Sequence, residues 1–369
     1  MKIAFLSYYS GLVDRGVETF VDALASRLGQ NHEVMVIQAG TKKEQKPYMQ
    51  IVIPGKSYNS QKLSQDFKER FFLDKKSRVI AKFSFQALKT LQSFQPDIIV
   101  ACNHGWQAVL AKLYIRLHKH SRLVISAQVG KGREESLALS LKPDLFITQS
   151  QTRLKQLSLK DSDQIIAIPN GVDFAKFFQK QTLAGKIQLQ IAKLKKPICL
   201  CVAGPEPYKR VEDTIEAVTK LGNVSLLVLG GSKKTKNLGK KLLSDQFVQL
   251  KTPHEQMPAV YQIADVFTLV SDSQEGFGIA YLEAMAANVP VVARDDSLRK
   301  EIIGKAGLYV ADPADHIAYA QRIRQALDSN WGKKPQMQAK KFNWDQVSRE
   351  YEKAFISLVS KSSKLGSFH

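Results

Sequence analysis

A chain of 369 residues exceeds what one hydrophobic core usually supports, and a hydrophobic content of 44% is ample for packed α/β layers, so two domains are expected. No apolar run approaches the roughly 18 residues that span a bilayer, and the opening KIAFLS is too short and too soon followed by polar residues to be a signal peptide, which points to a cytoplasmic protein. Lys and Arg number 54 against 34 Asp and Glu, a net charge of +20, while Cys102, Cys199 and Cys201 lie in or beside apolar runs without metal-ligand spacing and read as small core residues.

Along the chain, short β-branched or aliphatic runs alternate with helical patterns, the signature of parallel sheets covered on both faces. A first series of strands is expected at 3–7, 34–39, 50–53, 98–101, 123–127, 145–148 and 165–168. Pro169-Asn170-Gly171 is turn chemistry and marks a hinge, and the polar stretch 176–196 leads into a second series at 198–203, 225–230, 247–250, 266–270, 289–293 and 308–310. The expected domains are therefore 1–172 and 173–341, each Rossmann-like, with a closing segment 342–369. Two such domains face each other across a cleft in this reading, with ligands at the carboxyl ends of the strands.

The densest chemistry lies in SDSQEGFGIAYLEAMAA (271–287). Gly276 and Gly278 let the backbone approach a ligand, and a helix starting near Ile279 points free N–H groups and its positive dipole end at whatever sits above the loop. A diphosphate suits that position. Glu275 on the loop and Glu283 on the helix, eight positions apart, can accept hydroxyl hydrogen bonds from a sugar and a ribose at its two ends. Lys209 stands just before a helix expected over 211–221 and can neutralise phosphate charge in the same place.

These residues resemble the E-x7-E signature of retaining glycosyltransferases of the GT-B type, family 4. LCVAGPEPYKRVEDTIEAV (200–218) is similar to that family's strand, loop and Lys entering a helix, and IPNGVD (168–173) to its interdomain link. VETFVDALASRLGQNHEVMVI (17–37) is similar to its first helix and second strand, and FNWDQVSREYEKAF (342–355) to its closing helix, which packs back toward the N-terminal domain. The resemblance implies a GT-B enzyme that moves a hexose from a nucleoside-diphosphate sugar to an acceptor hydroxyl with retention, without a metal or other cofactor. It places Glu275 near the sugar and Glu283 on the ribose, and gathers Gly276, Phe277, Gly278, Ile279, Arg210 and His254 about the donor. It assigns acceptor binding to the N-terminal domain, with Gly16, Arg15 and His104 as candidates. The chain departs from the family in three places. Gly204 stands where an Arg is usual, Arg15 replaces one of a glycine pair, and Gln128 stands where a His often contacts the donor sugar. Gln128 can hydrogen-bond a sugar hydroxyl but exchanges no proton at neutral pH.

Other features call for simpler accounts. Asp161-Ser162-Asp163 has the spacing of a metal-binding D-x-D but lies far in sequence from 271–287, so solvated turn carboxylates explain it; Asp295-Asp296 precedes a helix and reads as a cap. Residues 41–89 hold 12 basic and 4 acidic residues, with Leu63, Phe67, Phe71 and Phe72 among Lys68, Arg70, Lys75 and Lys76. Either a basic amphipathic helix there lies on an anionic bilayer, as a lipid-linked or surface-polymer acceptor would favour, or the aromatics face the core and the lysines solvate it. A nucleic-acid groove is the rival reading of the charge, but the basic surplus is spread over both halves, 25 basic to 14 acidic residues in 1–172 and 29 to 20 in 173–369. A nucleotide-sugar epimerase or a sugar phosphorylase on the same fold is the rival for the chemistry.

Overall fold

The computed structural model describes residues 1–13, 16–42, 45–56, 72–102, 105–128, 132–157 and 164–365, with side chains to 360. The chain divides into two compact units, Met1–Asn170 with Trp344–His369, and Gly171–Asn343. The division falls at 170/171 and 343/344 rather than at 172/173 and 341/342. Val172 is 2% exposed in the second unit's core, and its N–H donates to the Phe342 carbonyl, closing that unit on itself.

In the first unit, β1 (Lys2–Leu6), β2 (Glu33–Ala39), β3 (Met49–Ile53), β4 (Ile98–Ala101), β5 (Arg122–Ser126), β6 (Leu145–Thr148) and β7 (Ile165–Ala167) form a parallel sheet in the order β3-β2-β1-β4-β5-β6-β7. Side chains alternate between its faces, and both faces are apolar because both are covered. Ile3, Phe5, Val34, Val36, Ile98 and Val100 meet the helix Gly16–Leu28 through Phe20, Val21 and Leu24, and the closing helix Trp344–Leu365 through Trp344, Val347, Tyr351 and Phe355. Ala4, Leu6, Ile37, Ile99 and Ile125 meet the helices Lys75–Phe94 and Gly105–Leu117 on the other face.

The spacing of Trp344, Val347, Tyr351 and Phe355 puts four large side chains on one stripe, all at most 2% exposed. Each contributes about 1.5–3 kcal/mol by burial. Beside them Arg27 Nε pairs with Asp345 Oδ1 and His32 Nε2 hydrogen-bonds Glu352 Oε1, both at 2.8 Å; the partly exposed Arg27–Asp345 pair adds register more than stability, since surface pairs are worth about 0–1 kcal/mol.

In the second unit, β8 (Ile198–Ala203), β9 (Ser225–Gly230), β10 (Phe247–Leu250), β11 (Val266–Leu269), β12 (Val291–Arg294) and β13 (Gly307–Val310) form a parallel sheet in the order β10-β9-β8-β11-β12-β13. Two boundaries in this unit differ from the sequence reading by two residues, and each has a cause. β12 starts at Val291, because the Val289 N–H is taken by the Ala284 carbonyl and Pro290 has no N–H to pair. The helix after β8 runs Val211–Thr219 and stops short of 221, where Gly222 turns the chain at φ 71°.

Within the basic stretch 41–89 the described residues hold β3 and the start of the helix Lys75–Phe94, whose apolar stripe of Ile80, Phe83, Ala87 and Leu91 is buried against the sheet. The opposite face presents Arg78, Lys82, Phe85 and Lys89 to solvent, with Phe85 68% exposed. Leu63, Phe67, Lys68, Arg70, Phe71 and Asp161-Ser162-Asp163 lie outside the described residues. No helix among the described residues is long and apolar enough to cross a membrane.

Candidate functional site

In the second unit the strand order reverses between β8 and β11, which pair side by side. Loops leaving the carboxyl ends of two such strands diverge to opposite faces of the sheet, and the gap between them is where open parallel sheets bind ligands. The loop after β8 carries Lys209, and the loop after β11 carries Glu275.

Both loops are locally built for this. Pro207–Lys209 forms one turn of 3-10 helix, and Arg210 follows at φ 54°, a left-handed turn that redirects the chain into the helix Val211–Thr219. After β11, Asp272 makes a turn of its own: its carboxylate accepts the Gln274 N–H at 2.9 Å and its carbonyl the Glu275 N–H at 3.1 Å. The two loops are then tied together. The Asp272 N–H donates to the Tyr208 carbonyl at 2.9 Å, and Lys209 Nζ donates to Glu275 Oε2 at 2.5 Å.

That ion pair is nearly enclosed, with the Lys209 side chain 15% and the Glu275 side chain 10% exposed. Burial pulls the Lys209 ammonium down, but Glu275, Tyr208 and Glu206 outweigh it, so its proton is held more tightly than usual. Lys209 Nζ also lies 5.1 Å from the centre of the Tyr208 ring.

Gly278 ends the loop at φ 79°, in the left-handed region, and a Cβ there would stand 2.5 Å from the Tyr281 ring. Tyr281 cannot withdraw, because it is fully buried and its hydroxyl donates to the Leu269 carbonyl at 2.9 Å. The helix Ile279–Ala286 begins immediately after, so the backbone N–H groups of Ile279 and Ala280 lack intrahelical acceptors, while the Tyr281 N–H donates to the Gly278 carbonyl at 3.0 Å. Phe277 contributes only backbone here. Its ring is 3% exposed, packed in the core with Phe342 at 6.1 Å.

Glu283 lies one turn further along that helix. Its Oε2 accepts the Tyr261 hydroxyl at 2.7 Å, which leaves Oε1 as the oxygen with room for another donor. Burial pushes the Glu283 carboxyl up, Tyr261 and Lys176 pull it back, and the net direction is up. Tyr261 was not legible as a site residue: it is 22 positions away in sequence and looks like any core aromatic.

Arg210 stands beside Lys209 in sequence but is engaged elsewhere. Its Nε donates to Asp213 Oδ2 at 2.8 Å, and Asp213 Oδ1 pairs with His316 Nε2 at 2.9 Å. Against the desolvation that would raise it, these two partners hold the Asp213 carboxyl below its usual range. At Gly204 the Glu206 carboxylate occupies the space that a side chain would take. His254 opens the 3-10 turn His254–Gln256 after β10 and is half-buried. Arg299, which the sequence reading passed over, is 2% exposed and donates from Nη2 to the Asp272 carbonyl at 3.2 Å.

In the first unit, Gln128 follows β5 and is 9% exposed. Its Oε1 accepts from Gln149 Nε2 at 2.7 Å and its Nε2 donates to Ser126 Oγ at 2.8 Å, while Ser126 Oγ bonds the Tyr351 hydroxyl at 3.0 Å. A buried polar chain thus anchors the amide to the closing helix and fixes which end is the oxygen. Gly16 is the first residue of the helix Gly16–Leu28, whereas Arg15 and His104 lie outside the described residues. Among the described residues no group of three or more His, Cys, Asp or Glu is placed to hold a metal ion.

Residues 186–343 match the family model described as Glycosyl transferases group 1, and residues 15–176 the one described as Glycosyltransferase Family 4. The chain belongs to the family 4 glycosyltransferases. It is 38% identical over 108 residues to the O-antigen chain mannosyltransferase B of Escherichia coli, covering 28% of each chain. Over 231 residues it is 23% identical to the alpha-monoglucosyldiacylglycerol synthase of Acholeplasma laidlawii, covering 57% of each. These matches span about a quarter to just over half of the curated relatives' length. In fold it is similar to Anabaena HepE, solved in complex with UDP and glucose, with a TM-score of 0.77 at 18% identity over 97% of this chain and 100% of that one. The glycosyltransferase fold of two Rossmann-like parallel sheets, expected from the sequence, is the one observed.

Proposed function

We propose that this family 4 glycosyltransferase moves a hexose from a nucleoside-diphosphate sugar to an acceptor hydroxyl with retention at the anomeric carbon. The observation that carries this reading is the Lys209–Glu275 ion pair, held at 2.5 Å across the point where the strand order reverses, beside a glycine-bounded helix N-terminus. Such a place offers a cation and free backbone N–H groups to a diphosphate and a carboxylate to the sugar attached to it.

In this mechanism Lys209 and the first-turn N–H groups at Ile279 stabilise the charge that builds on the leaving diphosphate. Glu275 accepts hydroxyl hydrogen bonds from the hexose and faces the positive charge that develops on it. Glu283, through Oε1, holds the ribose hydroxyls. The first unit binds the acceptor in this reading, with Gly16, Arg15 and His104 as the candidate residues, and Gln128 is the candidate for a sugar hydroxyl, through its remaining amide hydrogen. The departing phosphate oxygen takes the acceptor's proton on the same face of the sugar, so no second carboxylate is needed as a nucleophile.

The names of the two relatives, one for O-antigen and one for a glycolipid, support an acceptor in surface polysaccharide or glycolipid synthesis. The solvent face of the helix Lys75–Phe94, with Arg78, Lys82 and Lys89 around the exposed Phe85, supports docking on an anionic bilayer from the cytoplasmic side.

Thermal stabilisation by a panel of UDP-, GDP- and ADP-hexoses, with and without chelator, tests the donor class. One nucleotide should raise the melting temperature selectively, and chelator should not abolish transfer. Transfer that vanishes with chelator and returns with magnesium or manganese would overturn the metal-free scheme. Release of an isomerised nucleotide sugar without an acceptor product would favour an epimerase.

A further inference from the structure

Arg299 lies in the first turn of the helix Ser297–Ile303, and burying a guanidinium to 2% exposure costs several kcal/mol unless it is paired. Asp296 accounts for one end: its carboxylate accepts the Arg299 backbone N–H at 2.9 Å and Nη1 at 3.1 Å. A helix cap would need nothing more. Yet Nη2 leaves its own helix and donates to the Asp272 carbonyl at 3.2 Å, and although burial pulls the guanidinium down, Tyr281, Asp296 and Glu275 outweigh it and hold its proton more tightly than usual.

The Nη2 bond meets the loop after β11 at its start. The Asp272 carbonyl that Arg299 holds is the one that accepts the Glu275 N–H, and the Asp272 N–H is what ties the loop to Tyr208. Tyr281 is the ring that fits against Gly278 at the loop's other end. Arg299 Nε has no acceptor among the described residues, so the side chain is placed for its Nη contacts at the expense of satisfying its own donors.

We propose that Arg299 is a positioning residue for this loop, fixing the Asp272 peptide and through it the direction in which Glu275 presents its carboxylate to Lys209 and the donor. The proposal rests on the reading of Glu275 as the residue facing the donor sugar. Arg299 touches no substrate atom itself.

The test uses the full chain and the nucleotide hexose that the wild type hydrolyses fastest, water standing in for the acceptor. Arg299→Met keeps the stem and removes the donors. It should lower kcat about tenfold or more, while donor KM and nucleoside diphosphate affinity stay within about threefold, and Arg299→Lys should recover part of the loss. In a Glu275→Gln background the same Arg299→Met change should cost less than about threefold, because its effect passes through Glu275. Should Arg299→Met fail to fold, Arg299→Lys and Asp296→Asn carry the test, the second keeping a capping side chain while loosening Nη1; each should lower kcat at unchanged KM.

Penalties that add in full with Glu275→Gln, or variants that keep wild-type kcat, would overturn the proposal while leaving the site reading standing. Glu275→Gln with unchanged hydrolysis would overturn the site reading and this proposal together.

Discussion

Replacing Glu275 by Gln leaves the shape of the site nearly unchanged and removes one charge from an enclosed pair. The energetic cost depends on Lys209. Its ammonium, on a side chain 15% exposed, keeps only the partial charge of an amide oxygen where it had a carboxylate at 2.5 Å. An exposed pair would cost about 0–1 kcal/mol to break, and a fully buried one about 3–5 kcal/mol. With some solvent access and a residual hydrogen bond, a loss of roughly 1–3 kcal/mol is expected by interpolation between those limits. In a domain of this size that lowers the melting temperature by about 2–4 °C per kcal/mol.

A nucleoside diphosphate should reverse the loss, because its phosphates give Lys209 a new anionic partner. In the wild type those phosphates share Lys209 with Glu275; in the variant they do not. Calorimetric melting with and without the nucleotide should therefore show a larger ligand-induced shift for Glu275→Gln than for the wild type, with nucleotide affinity equal or tighter. Donor turnover should still fall by about 10²-fold or more, since the missing charge faced the sugar as positive charge developed there. A variant that melts like the wild type, or that binds nucleoside diphosphate more weakly at unchanged kcat, would refute the placement of Glu275 on the sugar and Lys209 on the phosphates.

Glu283→Gln should raise stability at neutral pH, because burial raises the Glu283 carboxyl in the folded state, and stability is then lost as pH climbs from the unfolded carboxylate range through the folded one. The difference should vanish in acid, and nucleoside diphosphate affinity should drop at every neutral pH; a variant no more stable than wild type at pH 7 would refute the first half. Vesicles with anionic lipid should bind the protein and release it as salt rises, and replacing Arg78, Lys82, Phe85 and Lys89 together should weaken that binding without changing donor affinity. Equal binding to neutral and anionic vesicles would remove the membrane reading.

The sheets were legible because parallel strands buried on both faces write near-continuous apolar runs, such as KIAFL and ICLCVA, and the glycine-bounded helix entry at 276–279 was legible because backbone geometry demands particular residues there. What the sequence does not carry is commitment: which polar group each side chain is bonded to. Arg210 reads as a second phosphate cation from its place beside Lys209, but Asp213 three residues on turns it into the anchor of a helix start. Glu283 reads as a carboxylate with two free oxygens until Tyr261 takes one. Phe277 reads as part of a ligand loop, and its ring belongs to the core. In each case the deciding partner is set by three-dimensional packing and leaves no periodic trace.

The departure at Gly204 acquires a physical meaning from the same partnerships. Where the family 4 resemblance leads one to expect an Arg, this chain lays the Glu206 carboxylate against the glycine, adding a negative charge that helps hold the Lys209 ammonium protonated. With Arg210 engaged by Asp213, the proposed mechanism leaves the cationic role at the β8–β11 junction to Lys209 and the helix N-terminus, while the buried Arg299 holds the loop through the Asp272 carbonyl. A site with few mobile cations gains selectivity from geometry: one ammonium and a fixed row of N–H groups favour a diphosphate seated in one orientation. In the proposed mechanism the backbone bond from Asp272 to Tyr208 matters as much as any charge, because it would keep the loop bearing Glu275 and the loop bearing Lys209 in register as the ion pair between them opened to admit a phosphate.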